Sequence, residues 1–279
     1  MIKIVNYGDN LGNGNYAIHS RFSRAVNFFS RDATSRIISV VNTEIDAGPV
    51  NIIISGLNTG QINSLFVDDN YIRLNGVKFT LNESNRFKSD FDFGHVNIER
   101  FDCNLNFFRT CLVKHSHPKS LAFLLDDKRK ENFNTSFGRE YVKRFQLATK
   151  RIFCSERIEG IKMIRGMGFG LTPSGDDFLS GILIALNIMQ ALYCVDLTAS
   201  INEIYKTAKG NNPLSNTFLK CARDGLLFER FKKLVHSLLY LGKEDVFDHV
   251  QDLLSVGSTS GADQGVGFVM AFERRLLWL

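Results

Sequence analysis

Two stretches of this chain, Ser174-Gly175-Asp176-Asp177 and Ser260-Gly261-Ala262-Asp263, share one pattern of serine, glycine and, three residues on, aspartate, 86 positions apart. At the same offset Gly181 falls on Gly267 and Ala185 on Ala271. Each copy reads as a turn followed by an apolar helix with one glycine on a fixed face, which predicts two related loop-helix units in the C-terminal half. Helix capping accounts for part of the pattern, with Ser174 or Ser260 as N-cap and an acidic residue three positions later. It does not account for Gly166-Met167-Gly168-Phe169-Gly170 just upstream, because glycine there costs chain entropy.

Alternating glycines let backbone N–H groups close on an anion at a helix N-terminus, where the helix dipole also favours negative charge. The candidate ligand-binding residues are therefore Gly168, Gly170, Thr172, Ser174 and Gly175 in the first loop, with Thr259, Ser260 and Gly261 in the second. Arg165, immediately before the glycines, either meets the same anion or caps a helix C-terminus. Asp176, Asp177 and, if the two loops face each other, Asp263 are the candidate catalytic groups. Carboxylates repel a bare phosphate, so they call either for a bridging Mg²⁺ or for a ligand that carries N–H donors. The phosphate-loop pattern ending in Gly-Lys-Ser/Thr is absent, and the glycines follow a helical rather than a strand-like segment, which disfavours both nucleotide folds.

The rest of the chain predicts an α+β protein with a β-rich N-terminal half, a sheet or barrel with a short helix, before the α-helical half that holds the two loop-helix units. The expected boundaries are a β-rich domain over 1–113, a linker over 114–136 and a helical domain over 137–279. Strands are expected at Arg36–Val41, Val50–Ile54, Tyr71–Leu81 and His95–Phe101, with Asn75-Gly76 as a two-residue hairpin turn. Phe22, Ala25, Val26 and Phe29 repeat at helical spacing and predict the short helix over Ser20–Phe29. Further on, helical stripes are formed by Tyr141, Val142, Phe145, Ala148 and Ile152, by Phe231, Leu234, Val235, Leu238 and Leu239, and by Val246, Phe247, Val250, Leu253 and Leu254. All three read as core.

Composition excludes several classes. The net charge of +5 is dispersed, and its densest run, Lys128-Arg129-Lys130, sits among Asp126, Asp127 and Glu131 as a solvated loop, so no nucleic acid partner is expected. Five cysteines without Cys-x-x-Cys spacing predict reduced, mostly buried thiols. His115 and His117 flank Ser116 without a nearby third metal ligand and read as exposed linker. No secretion signal and no uninterrupted span of about 18 apolar residues is present, so no membrane and a cytoplasmic location are expected.

The wording Gly168-Phe169-Gly170-Leu171-Thr172-Pro173-Ser174-Gly175-Asp176-Asp177 resembles the central signature of the AllH-type family, found beside genes of allantoin and purine breakdown. Gly257-Ser258-Thr259-Ser260-Gly261-Ala262-Asp263 is similar to that family's second signature, departing from it at Ser258, where the family has histidine. Ser215, Leu219, Ala222 and Gly225 between them, and Phe22, Ala25, Asn27 and Gly48-Pro49 near the start, fit as well. The resemblance implies a subunit of an oxamate carbamoyltransferase that works with other subunits in purine- or allantoin-type nitrogen catabolism. It implies exchange of a carbamoyl group between oxalurate and phosphate, giving oxamate and carbamoyl phosphate. A carbamoylated or phosphorylated anion of this class fits the residues, since its N–H groups suit carboxylates and its anionic end suits glycine N–H groups. Two alternatives stand beside it: a Mg²⁺-dependent hydrolase with the metal on Asp176, Asp177 and Asp263, and a non-catalytic assembly subunit of a multi-subunit complex; apart from that Mg²⁺, no cofactor is assigned to the chain.

Overall fold

The computed structural model describes residues 2–30, 36–56 and 59–279, which form two compact units. The first comprises residues up to Asp90 with the short segment Leu226–Glu229; the second is Phe91–Gly225 with Arg230–Leu279.

In the first unit the strands are β1 (Lys3–Gly8), β2 (Gly14–Arg21), β3 (Ala25–Ser30), β4 (Ile37–Val41), β5 (Asn51–Ser55), β6 (Leu65–Val67), β7 (Tyr71–Leu74), β8 (Val77–Thr80) and β9 (Arg86–Phe87). They make one sheet in the order β8-β7-β6-β2-β3-β4-β5-β1-β9, curled into a half-barrel. The ladder is antiparallel except between β4 and β5 and between β1 and β9. Val26, Phe28, Val40, Ile52 and Ile54 fill one side of the sheet, and Val41, Ala47 and Ile53 the other. The central pair β4 and β5 is covered on both faces, which is why their sequences are nearly unbroken apolar runs. Asn75 and Gly76 both have positive φ, +50° and +80°, and close the β7–β8 hairpin as expected.

The helix expected over Ser20–Phe29 is instead the end of β2 and most of β3, in register with Ala17 opposite Phe29 and Arg21 opposite Val26. The apolar spacing there fits a helix, but ladder bonds to β2 and β4 on either side and the inward alternation of Val26 and Phe28 outweigh it. The strand expected at His95–Phe101 is likewise a helix start. Asn97 caps it by accepting the Arg100 N–H at 2.9 Å, and Phe101, Leu105, Phe108 and Leu112 continue the buried stripe.

The second unit is helical: α1 (Ile98–His115), α2 (Ser136–Ile152), α3 (Arg157–Ile164), α4 (Ser174–Tyr193), α5 (Thr198–Ala208), α6 (Pro213–Arg223), α7 (Glu229–Tyr240), α8 (Lys243–Leu254) and α9 (Ser260–Glu273). The α2 and α7 stripes are buried as expected, and so are Val246, Val250 and Leu253 of α8. α4 and α9 are apolar around most of their circumference and form the centre. They touch backbone to backbone. A Cβ on Gly181 would lie 1.9 Å from the Gln264 carbonyl oxygen, and one on Gly267 would lie 2.0 Å from that of Phe178. Since position 264 is the 86-residue counterpart of 178, the contact is reciprocal, and the two helices are related by a local pseudo-two-fold. Phe268 of α9 packs 5.0–6.4 Å from Phe108, Phe231 and Phe272, and Phe272 lies 4.9 Å from Phe101.

Two composition-based expectations need correcting. Of the five free cysteines only Cys111 and Cys221 are buried, while Cys103, Cys154 and Cys194 are exposed. Lys128–Lys130 lies in a 3-10 turn, not a loose loop, and Arg129 folds inward to donate to the carbonyls of Val113, Ser116 and His117. His115 and His117 are exposed, as expected.

Because two helix backbones fill the space where a side chain would begin, Gly181→Ala or Gly267→Ala should cost on the order of 1–3 kcal/mol or more. Gly210, whose Cβ would meet nothing within 4 Å, is the neutral control. Urea midpoints of the three variants test this; equal midpoints would refute the backbone contact.

Candidate functional site

Neither serine of the repeat is a cap. Pro173 and Thr259 occupy the N-cap positions without side-chain cap bonds, so Ser174 and Ser260 sit one residue inside α4 and α9, where their hydroxyls are available for tertiary contacts. The glycine after each serine fixes the loop. A Cβ on Gly175 would fall 1.8 Å from the Ile164 carbonyl oxygen at the end of α3, and one on Gly261 1.9 Å from that of Leu253 in α8. Gly175 donates its N–H to Met167 at 2.8 Å and Gly261 to Val256 at 3.2 Å. Positions 167 and 175 are eight apart whereas 256 and 261 are five apart, so the first loop is longer by three residues, and Gly168, Phe169 and Gly170 lie in it.

That longer loop is pinned along its length. The Gly166 N–H donates to Asp176 Oδ1 at 2.7 Å, and the Leu171 carbonyl accepts from Asn212 Nδ2 at 2.8 Å. Gly168, at φ +133°, leaves so little space that a Cβ would lie 2.4 Å from the Ser174 nitrogen. Gly170, at φ +109°, needs glycine for its backbone conformation alone. Asp176 is buried, which raises its pKa, while the Gly166 N–H and Ser215 work against that shift. Its contacts make it the clasp of the loop. Arg165 donates to the Thr207 carbonyl in the last turn of α5 at 3.1 Å.

The remaining polar groups converge across the two helix starts. Thr172 Oγ1 donates to Asp177 Oδ2 at 3.1 Å and lies 3.2 Å from Ser260 Oγ. Ser260 of the second loop also faces Asp177 of the first, and Ser174 of the first faces Asp263 of the second, so each serine serves the other loop's aspartate. Asp263 is fully buried; its Oδ1 accepts the Leu121 N–H at 2.6 Å, and its Oδ2 has no hydrogen-bond partner, with Ser174 and Thr259 nearby. Asp177 is half-buried, with Thr172, Thr259 and Ser260 forming the half-exposed rim above it.

Among the described residues, no cation offsets this pair. Burial pushes the Asp263 carboxyl up to about 7, against the opposing pull of the Leu121 N–H and of the nearby Ser174 and Thr259 hydroxyls. Asp177 is pushed well above the ordinary carboxylate range, first by burial and second by the charge of Asp263. Two carboxyls coupled by charge in one site titrate as a pair and not as individuals. Among the described residues, no group of three or more His, Cys, Asp or Glu side chains is placed to hold a metal ion. Asp176, one of the three carboxylates expected to hold Mg²⁺, is turned to Gly166 instead.

Of the residues singled out in the sequence, Thr172, Ser174, Asp177, Thr259, Ser260 and Asp263 are brought together, and Gly168, Gly175 and Gly261 shape their approach. Asp176 and Arg165 are turned elsewhere, and Ser258 stands exposed at the outer end of the second loop. Sequence reasoning missed Tyr141. It belongs to a core stripe, yet its hydroxyl meets Ser174 beside Asp263 and Asp177, and burial raises its pKa so that it stays a donor. The clue was available, since a buried tyrosine needs a partner for its hydroxyl. The Leu121 N–H, 142 residues from Asp263, left no trace in the sequence.

Residues 164–272, which span both loops and α4 through most of α9, match a family model described as oxamate carbamoyltransferase subunit AllH. This is the family that the loop wording resembles, and the match suggests a carbamoyltransferase-related subunit. No solved structure matches the chain. No helix among the described residues is long and apolar enough to cross a membrane.

A carboxyl whose folded pKa is raised stabilises the fold relative to the unfolded chain only at low pH. For Asp263 the window opens near the unfolded carboxyl value of about 4 and closes near 7. Wild-type stability should fall across that window by up to about 4 kcal/mol relative to Asp263→Asn, which cannot ionise. Chemical denaturation of both proteins across the window measures it; parallel curves would show that Asp263 titrates normally.

Proposed function

We propose that this chain is a subunit of an oxamate carbamoyltransferase-like enzyme of purine- or allantoin-type nitrogen catabolism, binding a small carbamoylated or phosphorylated anion where α4 and α9 begin. The observation that carries this reading is the crossed arrangement of Ser174 with Asp263 and Ser260 with Asp177 at two helix N-termini held side by side. Helix starts offer N–H groups and a positive dipole end to the anionic part of the ligand. The carboxyls and hydroxyls offer acceptors to the N–H₂ of a carbamoyl group. Oxalurate, oxamate and carbamoyl phosphate all combine these two ends.

Transfer of a carbamoyl group between oxalurate and phosphate asks for positioning and for donors aimed at the oxygen where charge develops. Thr172, Ser174 and Ser260 hydroxyls and the helix-start N–H groups supply donors, Asp177 orients the amide, and Tyr141 holds Ser174. Asp176 keeps the first loop in shape, and Gly168 lets that loop sit on Ser174.

The assembly-subunit alternative draws support from a different observation. Phe169, at the tip of the longer loop, is 77% exposed and packs at 5.8 Å on Phe137, itself 64% exposed. Such an aromatic pair beside the site suits contact with other subunits of a complex. Copurification of the chain with its partners, but no affinity for oxamate or carbamoyl phosphate in isolation, would favour that role over direct ligand binding.

Calorimetric titration of the full chain with oxamate and with carbamoyl phosphate tests the ligand site. Gly168→Ala should weaken both by about tenfold or more, a loss of about 1.4 kcal/mol, by displacing the loop from Ser174. Unaltered affinity in that variant would place the ligand elsewhere.

A further inference from the structure

The hydroxyl hydrogens at this site can be turned to the carboxyls or to a ligand, but not to both. Thr172, Ser174, Thr259, Ser260 and Tyr141 each carry one hydroxyl hydrogen, and the two carboxyls between them present four oxygens. One of these, Asp263 Oδ1, is filled by the Leu121 N–H; Asp177 Oδ2 takes the Thr172 hydrogen; Asp263 Oδ2 is left bare at a residue with no solvent exposure. If both carboxyls are ionised, they draw the surrounding hydroxyl hydrogens inward, and the rim presents lone pairs to whatever approaches. An anion is then met by oxygen lone pairs above two negative charges. The surroundings also disfavour that state. Facing Asp263 are Asp177 from α4 and Tyr141 from α2, while Asp176, turned to Gly166, adds its charge to Asp177; none of them is a cation; α1 contributes Phe108 and Leu112 beside Gly265, and the turn at 121–124 contributes only apolar side chains.

We propose that the Asp177–Asp263 pair holds one shared proton when ligand binds, and that this proton frees hydroxyl hydrogens of Thr172, Ser174 and Ser260 to point outward as donors to the anion. The proposal rests on the reading that this site takes a small carbamoylated anion, and it deepens it by naming what makes an acidic site receptive to negative charge. With one carboxyl neutral, its own O–H fills an inward acceptor. The pair then bears a single charge, enough to accept an N–H from the ligand's amide without repelling its carboxylate. The local pseudo-two-fold lets the proton reside on either side, because each aspartate faces the same set of groups, a serine from the opposite loop and a threonine from beside it. The raised pKa values of both aspartates agree with this picture and fix the direction of its pH dependence: the proton is lost, and anion affinity with it, on the alkaline side of neutrality.

Oxamate is the suitable probe, since its carboxylate stays ionised from about pH 6 to 9 and does not titrate alongside the protein. Isothermal titration of the full chain across that range should show the dissociation constant rising about tenfold per pH unit once the shared proton is lost. In Asp263→Asn the side-chain amide replaces the carboxylic acid as a permanent donor, so binding persists with a flat profile; Asp177→Asn, at the half-exposed member, serves equally if the first variant folds poorly. A flat wild-type profile, or a variant that follows the wild-type slope, overturns the shared proton and leaves the ligand site standing. Absence of oxamate binding at every pH in the wild type overturns the ligand reading, and the shared proton falls with it.

Discussion

The reciprocal seating of Gly181 on the Gln264 carbonyl and of Gly267 on the Phe178 carbonyl is the contact on which the helical unit depends. Two helices normally keep about 8–10 Å between their axes because side chains intervene. Where glycine removes the side chain on both, the backbones meet and weak Cα–H to carbonyl contacts replace side-chain packing. The consequence lies one to two turns upstream. With the axes drawn together at positions 178–181 and 264–267, the first turns of α4 and α9 stand side by side, and Ser174 and Ser260 come within reach of each other's aspartate. Each helix is then fixed at its start by a second glycine, Gly175 or Gly261, pressed on the carbonyl of the preceding helix. Four glycines in matched pairs thus set the distance and rotation of both loops before any polar group contributes.

Building carboxyls into that seam works against stability, since an acid taken out of water without a cation prefers its neutral form. The fold tolerates it because most of the polar atoms find partners: Asp176 closes on Gly166, Asp177 on Thr172, and one oxygen of Asp263 on Leu121. What is left, the bare Asp263 Oδ2, is the kind of uncompensated buried group that a purely structural helix start would not keep. An Asn, Ser or Thr at a conventional cap would serve architecture at lower cost.

Much of this was legible in the sequence, and the limits have physical causes. The repeat showed itself because matched glycines and serines are needed at matched places, and the α2, α7 and α8 stripes showed because amphipathic helices must hide one face. Asn75-Gly76 was readable because few residue pairs accept two positive φ values. The failure at Ser20–Phe29 came from a segment whose local spacing suits a helix while its neighbours offer ladder bonds that only the folded sheet reveals. His95–Phe101 was misread because a window of seven residues ended just where the helical period begins. Tyr141 was hidden for the opposite reason: its ring satisfies the core stripe fully, and only its hydroxyl belongs to the site.

The two copies of the motif differ in ways that matter more than their likeness. Asp263 is dry because the turn starting at Leu121 and the Tyr141 face of α2 cover it, whereas its counterpart Asp177 is half-buried beneath a hydroxyl rim. The first loop is three residues longer and carries its extra glycines and Phe169 outward, while the second turns tightly at Gly257. A symmetric pair of helix starts would hold two identical ligands or none in preference. Unequal burial instead gives one aspartate access to a ligand and makes the other a reservoir of charge or proton behind it, coupled through serines that cross between the loops. The repeated motif supplies the geometry, and the surroundings of each copy divide the chemistry.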